Sequence, residues 1–419
     1  MINVMNLLIQ KFGGTSVQTK ENRGHVIEQI KKGLEKDYKL VVVVSAIGRS
    51  PDPYATDTLL KMVDYAEEST ESKRELDLLM SCGETISSVV LSNELQNKGI
   101  SATALTGAQA GLITNDDYNE AKIKKVKSDR IQHELKTNDV VVVAGFQGRT
   151  EDGDITTIGR GGSDTTAAAF GASLRADCVE IYTDVEGIMT ADPRVVDSAC
   201  PIDVVTYTET CNLAYQGAKV VHPRAVEIAM HAEVPLRIRS TYSEEEGTLI
   251  TSSRGREKGI DIPDRLVTGI AHIDDISQIN VHIDPKDLQA QSVIFKAMAD
   301  ADISVDFISV SLSDVIFTVP NEVIEQACEL LEAKGFDLTV VKDCAKVSAV
   351  GAGMSGIPGV VSKITGALVG NEVEILQSAD SHTTIWVLIH EKHLKTAVNA
   401  LHEAFELNKL IEKEKELLV

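Results

Sequence analysis

The stretch Gly159-Arg160-Gly161-Gly162-Ser163-Asp164-Thr165-Thr166 decides how this chain is read. Three glycines in four positions let a backbone turn sharply and approach a ligand closely, because no Cβ intervenes. Ser163 or Asp164 is placed to cap a helix beginning at Thr165 and running to about Leu174. That helix is rich in Ala and Gly, so it can pack closely, and an apolar strand at Cys178-Tyr182 follows. Helix N-termini attract anions through free N–H groups and the positive end of the dipole. Arg160 adds a planar cation suited to a carboxylate or phosphate, and Asp164 an anion suited to an ammonium group. One turn therefore offers partners for both ends of an amino acid. An ordinary tight turn before a buried helix would use the same glycines, so the reading depends on what surrounds it.

Upstream, Leu7-Phe12 reads as a strand that ends in Lys11-Phe12-Gly13-Gly14-Thr15-Ser16. Leu40-Val44 and Asp139-Ala144 are apolar and β-branched, as strands buried on both faces are. They end at Ser45-Ala46 and at Gly145-Phe146-Gln147-Gly148. A helix is expected to open at Ser81-Cys82-Gly83-Glu84. Strands alternating with helices imply an α/β domain with a largely parallel sheet, here over residues 1–258. Ligands of such sheets bind beyond the carboxyl ends of the strands. In this chain those ends carry Lys11, Ser45, Gly145-Gly148 and Thr183-Asp184. Downstream, His222 stands before a proline with no His or Cys nearby and reads as structural. Ser252-Lys258 reads as a linker.

Beyond the linker the chain repeats itself. Ile279-Ile283 matches Val347-Gly351, and Val305-Ile308 matches Val373-Leu376, each at an offset of 68 residues. The two α+β copies are expected over 265–342 and 343–419. Tandem modules of this kind usually sense rather than catalyse. In the second copy, Gly351-Ala-Gly353-Met-Ser-Gly356 fits a dinucleotide fingerprint. It is rejected, because Pro358-Gly359 delays the helix and too little chain remains for a doubly wound sheet.

Length, 419 residues, implies two or three domains. A net charge of −22 and few aromatics argue against a nucleic-acid partner. The six cysteines form no Cys-x-x-Cys pair, which suits a reducing compartment without a disulfide framework or zinc. No apolar run reaches about 18 residues, so no membrane span is expected. The short apolar start runs into Lys11 and lacks a cleavage site, so it reads as a strand and not as a signal peptide. A cytoplasmic protein is expected. No P-loop or protein-kinase signature occurs, yet Lys11, Lys219 and the glycine turns suit a polyanionic nucleotide. Phosphoryl transfer needs mainly positioning and charge neutralisation, with Mg²⁺ carried on the phosphates.

Read together, Lys11-Phe-Gly-Gly-Thr-Ser16, Ser45-Ala46, Gly83-Glu84, Thr157-Ile-Gly-Arg-Gly-Gly-Ser-Asp-Thr-Thr166, Ile181-Tyr-Thr-Asp184, Ala191-Asp-Pro-Arg194 and Gly217-Ala-Lys-Val-Val-His-Pro223 resemble the aspartokinase family in order and spacing along the whole chain. The repeats resemble its paired ACT regulatory domains. The resemblance implies an amino-acid-kinase fold, a three-layer α/β/α sandwich with a mostly parallel sheet, followed by two α+β ACT domains. It implies transfer of the ATP γ-phosphoryl group to L-aspartate, giving 4-phospho-L-aspartate for lysine, diaminopimelate, threonine and methionine synthesis. A kinase for another acidic amino acid and a non-catalytic amino-acid sensor are the alternatives.

By the same resemblance, Lys11, Arg160 and Asp164 are catalytic. Ser45, Thr56, Glu84, Arg160, Gly161, Ser163 and Asp164 hold aspartate. Lys11, Phe12, Gly13, Gly14, Thr183, Asp184, Arg194 and Lys219 hold ATP, and the protein alone supplies no metal site. An effector (diaminopimelate, lysine or threonine) would meet Gly356, Ile357, Pro358, Gly359, Glu374 and Asp380, with Asp306 and Ser311 as the first-copy counterparts. A homo-oligomer through the ACT domains is implied. The chain departs from the common pattern over Ile47-Gly-Arg-Ser-Pro-Asp-Pro-Tyr-Ala-Thr-Asp57, and its first ACT copy lacks the Pro-Gly of the second.

Overall fold

A computed structural model describes residues 6–63, 70–218, 220–252, 266–352, 354 and 357–409. The described residues form two compact units, one from 6–188, 201–214 and 220–252, the other from 189–200, 215–218 and 266–409. Most of the expected linker, with Lys219 and Gly356, lies outside the described residues.

The first unit is built on an eight-stranded sheet. From edge to edge its strands are Val204–Thr206, Thr248–Thr251, Leu236–Ser240, Cys178–Thr183, Leu7–Phe12, Lys39–Val44, Val140–Ala144 and Ala102–Leu105. All neighbours are parallel except the Leu236–Ser240/Thr248–Thr251 pair. The central strands are runs of valine and leucine because helices cover both faces. Val26, Ile27 and Ile30 of helix Lys20–Glu35, with Leu91 and Leu95 of helix Thr70–Asn97, pack on Leu8, Leu40, Val42, Val140 and Val142. Helix Gly162–Leu174 covers the other face. Its Gly171 comes so close to Val179 that an added Cβ would sit 2.3 Å from that side chain. The α/β/α sandwich implied by the resemblance is therefore present. A four-stranded sheet, in the order Ile123–Val126, Leu112–Thr114, Gln147–Arg149, Ile155–Thr157, carries the chain into the Gly159–Gly162 turn.

Two local expectations are corrected. The helix after the glycine turn begins at Gly162, not Thr165. Gly161 is its N-cap with φ 65°, and neither Ser163 nor Asp164 caps it. The helix expected to open at Ser81 instead runs unbroken from Thr70 to Asn97. Gly83 is therefore interior. It is there for approach, not for a turn: a Cβ on it would lie 2.8 Å from both the Ala46 methyl and the Tyr54 carbonyl.

In the second unit each repeat copy is strand, helix, strand, strand, helix, and the strands merge into one six-stranded antiparallel sheet. Its centre is two fourteen-residue strands, Gly269–His282 and Asp337–Val350. Each serves both copies. Ile276–His282 pairs with Asp314–Pro320, and Gly269–Ile273 pairs with Lys346–Val350. Val267 and Ile270 thus join the core of the second copy, with Val347, Ile364 and Leu401. Ala191 and Val196 join the same core, so residues 189–200, read within the first domain, fold with the second unit. The wholly antiparallel pairing has none of the crossovers of a dinucleotide fold. Among the described residues no helix is long and apolar enough to cross a membrane.

Candidate active site

The carboxyl ends of the parallel strands open into a cavity of about 590 Å³ in the first unit. Lys11, Gly14, Ser45, Thr56, Glu84, Arg160, Gly161, Ser163 and Asp164 line it, so nine of the residues singled out in the sequence converge there. Leu60, Met80, Asn119 and Arg49 also stand in the wall, and none of these four was anticipated as a site residue.

Each polar group is held by a definite element. Lys11 is the next-to-last residue of its strand, and its ammonium lies 2.7 Å from the Asp164 carboxylate, both largely buried. Asp164 carries an anion suited to an ammonium group, as Glu84 does, and its place on the first turn of helix Gly162–Leu174 sets it against the lysine. The Ser45 hydroxyl donates to Ser163 Oγ at 3.0 Å. Because the helix starts at Gly162, the Ser163 and Asp164 N–H groups have no intrahelical acceptor. Arg160 is exposed, on a loop clamped from several sides. The Ile158 carbonyl accepts from Arg224 Nη1 at 3.0 Å, and Gly162 N–H donates to the Gly159 carbonyl at 3.0 Å. Gly161 lies against His222, where a Cβ would come within 2.2 Å of the ring. His222 caps helix Pro223–Ala232 by accepting from the Arg224 N–H, so its role is structural.

Glu84 is the unusual group. It is 3% exposed, accepts from the Ala46 N–H at 3.1 Å through Oε1, and has no partner for Oε2. Burial pushes its carboxyl up to about 8, only partly opposed by the Ala46 hydrogen bond. Near neutral pH its burial therefore favours the protonated form. A cationic group placed beside it would draw the proton off.

Asp77 is a second buried acid, invisible in the sequence because the helix was expected to start at Ser81. Asp77, Met80, Ser81 and Glu84 fall at i, i+3, i+4 and i+7, one face of the continuous helix. Asp77 is fully buried and accepts five hydrogen bonds. These come from Asn119 N (3.1 and 3.0 Å), Asn119 Nδ2 (2.8 Å), Thr157 N (2.9 Å) and Thr157 Oγ1 (2.5 Å). It ties Asn119, in the cavity wall, to the strand that leads into Arg160. Asp77→Asn would turn an amide N–H toward these donors. We expect it to cost about 2–4 kcal/mol of stability, read as a lowered urea midpoint for the first unit. A midpoint like the parent's would remove Asp77 from this role.

The remaining expected nucleotide contacts fall differently. Phe12 is fully buried with its ring stacked on Tyr182 at 4.6 Å, so only its backbone can meet a ligand. Gly13 caps the short Gly14–Val17 helix, and a Cβ on it would lie 3.6 Å from the Lys11 ammonium. Thr183 ends the strand beside Leu7–Phe12 and donates to Asp184 Oδ1 at 3.0 Å. Arg194 belongs to the second unit, where it grips the Asp192 carboxylate at 2.7 Å.

Of the effector residues, Ile357, Pro358 and Gly359 lead into helix Val360–Gly370, with Gly359 as N-cap at φ 95°. Asp380 is exposed and ends the edge strand Gln377–Asp380. Glu374 faces His390 at 4.0 Å. Asp306 is ion-paired with the buried Lys346, and the Ser311 hydroxyl accepts from the Asp314 N–H at 2.9 Å.

Comparison with known proteins agrees along the chain. The amino acid kinase family profile matches residues 6–240, and an ACT domain profile matches 339–403. Aspartokinase 1 of Bacillus subtilis is 57% identical over 405 residues, covering 97% of this chain and 100% of that protein. The aspartokinase of Geobacillus stearothermophilus is 40% identical over 411 residues, covering 96% and 98%. Among solved structures, E. coli aspartokinase III in complex with aspartate and ADP superimposes with a TM-score of 0.75 over 95% of this chain and 99% of that one. At 24% identity that likeness speaks for the fold.

Proposed function

The chain belongs to the aspartokinases, within the amino acid kinase family, and from that premise we propose that it transfers the γ-phosphoryl group of ATP to the side-chain carboxylate of L-aspartate, giving 4-phospho-L-aspartate. The observation that carries this reading is the meeting of Lys11, Arg160, Glu84 and Asp164 in one cavity at the strand ends. A dicarboxylate with one ammonium group matches that set of charges.

In the proposed reaction an oxygen of the β-carboxylate forms the new bond to the γ-phosphorus. The bond to the bridging oxygen breaks, and ADP leaves with the electron pair. The nucleophile is already ionised, so no general base is required, and the protein's task is alignment and charge neutralisation. Arg160 takes the α-carboxylate through its two-pronged guanidinium. Glu84 takes the ammonium: Asp164 is charge-compensated by the Lys11 ion pair, whereas Glu84 Oε2 faces no cation among the described contacts. Ser45, Thr56, Gly161 and Ser163 shape the aspartate subsite. Lys11, held in position by Asp164, faces the transferring phosphoryl, with the Gly13-Gly14 turn assigned to the phosphates; Gly13 lies beside the Lys11 ammonium, and Gly14 lets the turn pack on the Ala46 and Gly48 carbonyls. Thr183, Asp184, Arg194 and Lys219 are assigned to the rest of ATP.

Lys11, Gly13 and Gly14, assigned to the phosphates, would hold the nucleotide with its Mg²⁺, which would supply further charge neutralisation for the transfer. Among the described residues no three His, Cys, Asp or Glu side chains cluster as a metal site.

Residues 1–258 are proposed as catalytic, and the ACT copies at 265–342 and 343–419 as a regulatory, oligomer-forming part of a cytoplasmic enzyme. The proposed effector is diaminopimelate, lysine or threonine. Its carboxylate meets the loop around Gly356–Gly359, with Glu374 and Asp380 near its ammonium, and Asp306 and Ser311 serve in the first copy. E. coli aspartokinase III has been solved with lysine and aspartate.

The deciding experiment is ADP release dependent on aspartate, repeated with glutamate and N-acetylglutamate and with each candidate effector. Release with aspartate alone, suppressed by one effector, is the expected result. Preference for another acid, or no release, would overturn the assignment.

A further inference from the structure

We propose that Arg49 is a further catalytic residue, whose guanidinium joins Lys11 on the transferring phosphoryl group. The proposal rests on the kinase reading above and extends it to a loop where the sequence leaves the family's common pattern.

Three cations line the cavity: Lys11, Arg49 and Arg160. They are not equivalent. Lys11 is already compensated by Asp164 at 2.7 Å. Arg160 sits on the glycine loop assigned to the α-carboxylate. Arg49 is exposed, lines the cavity, and has no carboxylate partner among the described residues.

Its backbone is nonetheless anchored. Gly48 N–H donates to the Gly14 carbonyl at 3.0 Å, which hangs the loop on the glycine turn assigned to phosphate. Asp52 Oδ2 accepts from the Arg49 N–H at 3.1 Å and from Gln18 Nε2 at 2.7 Å. The Arg49 carbonyl in turn accepts from the Asp52 N–H at 2.8 Å. The base of a long cationic side chain is thus fixed beside Gly14, on the turn assigned to phosphate, and that side chain lines the cavity.

The charge count points the same way. Transfer brings the γ-phosphoryl charge and the substrate's β-carboxylate together, and of the other cations in the cavity Arg160 is assigned to the α-carboxylate and Lys11 is shared with Asp164. A guanidinium with several donors can follow the equatorial oxygens as the phosphoryl group moves. An interaction of this kind strengthens in the transition state, so it acts on kcat more than on substrate binding.

The test compares the parent enzyme with Arg49→Met and Arg49→Lys, following ADP release while aspartate and ATP are varied. Arg49→Met is expected to lower kcat at least about 10-fold, with both KM values changed less than about threefold. Arg49→Lys should recover part of the loss. Affinity for ADP with aluminium fluoride and aspartate, which mimics the transition state, should fall in Arg49→Met while ATP affinity holds. Unchanged kcat in a parent enzyme that is active would overturn the proposal and leave the kinase reading intact. A rise confined to KM for aspartate would place the guanidinium on a carboxylate and also overturn it. A parent enzyme without aspartate-dependent ADP release would overturn the kinase reading and this proposal with it.

Discussion

Arg160→Lys is expected to lower kcat/KM for aspartate by roughly 30- to 1000-fold, with little change in ATP affinity. The charge is kept in this variant, so the loss reports geometry. A guanidinium presents two parallel N–H donors to a carboxylate, whereas an ammonium offers a single point charge. Truncating one partner of a desolvated charge pair costs on the order of 2–4 kcal/mol, which is the rate factor above. Arg160 is exposed in the substrate-free cavity, so the variant should fold normally. Its loop is held through Ile158, Gly159 and Gly161, and none of those contacts uses the Arg160 side chain. Near-parental kinetics, or an effect on ATP alone, would remove Arg160 from the α-carboxylate subsite.

Glu84→Gln is expected to act in opposite directions on stability and on activity. Burial raises the carboxyl from 4.5 to about 8. An acid raised in this way binds its proton more tightly folded than unfolded. Its cost to stability begins near pH 4.5, grows as pH rises, and levels off above about 8. At about 1.4 kcal/mol per unit, the cost near pH 7 is roughly 3 kcal/mol. Glutamine has no such titration. The variant should therefore melt several degrees above the parent at pH 8, with the gap closing toward pH 4.5.

Activity should move the other way. Holding an ammonium group requires the carboxylate, so kcat/KM for aspartate in the parent should climb with pH and flatten above about 8. Glu84→Gln should lose this limb and at least about 100-fold in kcat/KM. Aspartate binding by the parent at pH 7 should also release close to one proton, visible as a buffer-dependent binding enthalpy. A parent profile flat between pH 6 and 8, with no proton release, would show that Glu84 does not carry the ammonium.

Much of this architecture was legible because it is local. Runs such as Leu40-Val44 and Val140-Ala144 have no stable use except as strands buried on both faces, and that alone implies helices above and below. The turn at Gly159-Gly162 announces backbone conformations that few other residues adopt, with φ 74° at Gly159 and 65° at Gly161, and Gly14 announces a close approach to the Ala46 and Gly48 carbonyls. The 68-residue repeat announces two similar modules. Nine of the expected site residues share one cavity because a parallel sheet delivers its strand ends to one edge.

What the sequence did not disclose is non-local. Gly83 looks like a helix start, and only the approach of the 45–54 loop reveals it as a packing residue inside a longer helix, with Asp77 on the same face as Glu84. Asp164 carries the right charge for an ammonium. Which partner it holds depends on where the Lys11 strand passes beneath its helix, and spacing along the chain does not encode that distance. Ala191 and Val196 are unremarkable apolar residues in a polar loop until they enter the core of the second unit. The sharing of two long strands between the ACT copies is hidden for the same reason. A strand's pattern says which face is buried, and its partner is chosen by what the rest of the chain brings alongside. By itself the sequence determined the sheet, the glycine turns and the residue types of the site. Tertiary packing decided which acid is paired and which is left protonated, because pairing and desolvation depend on distances between segments far apart in the chain.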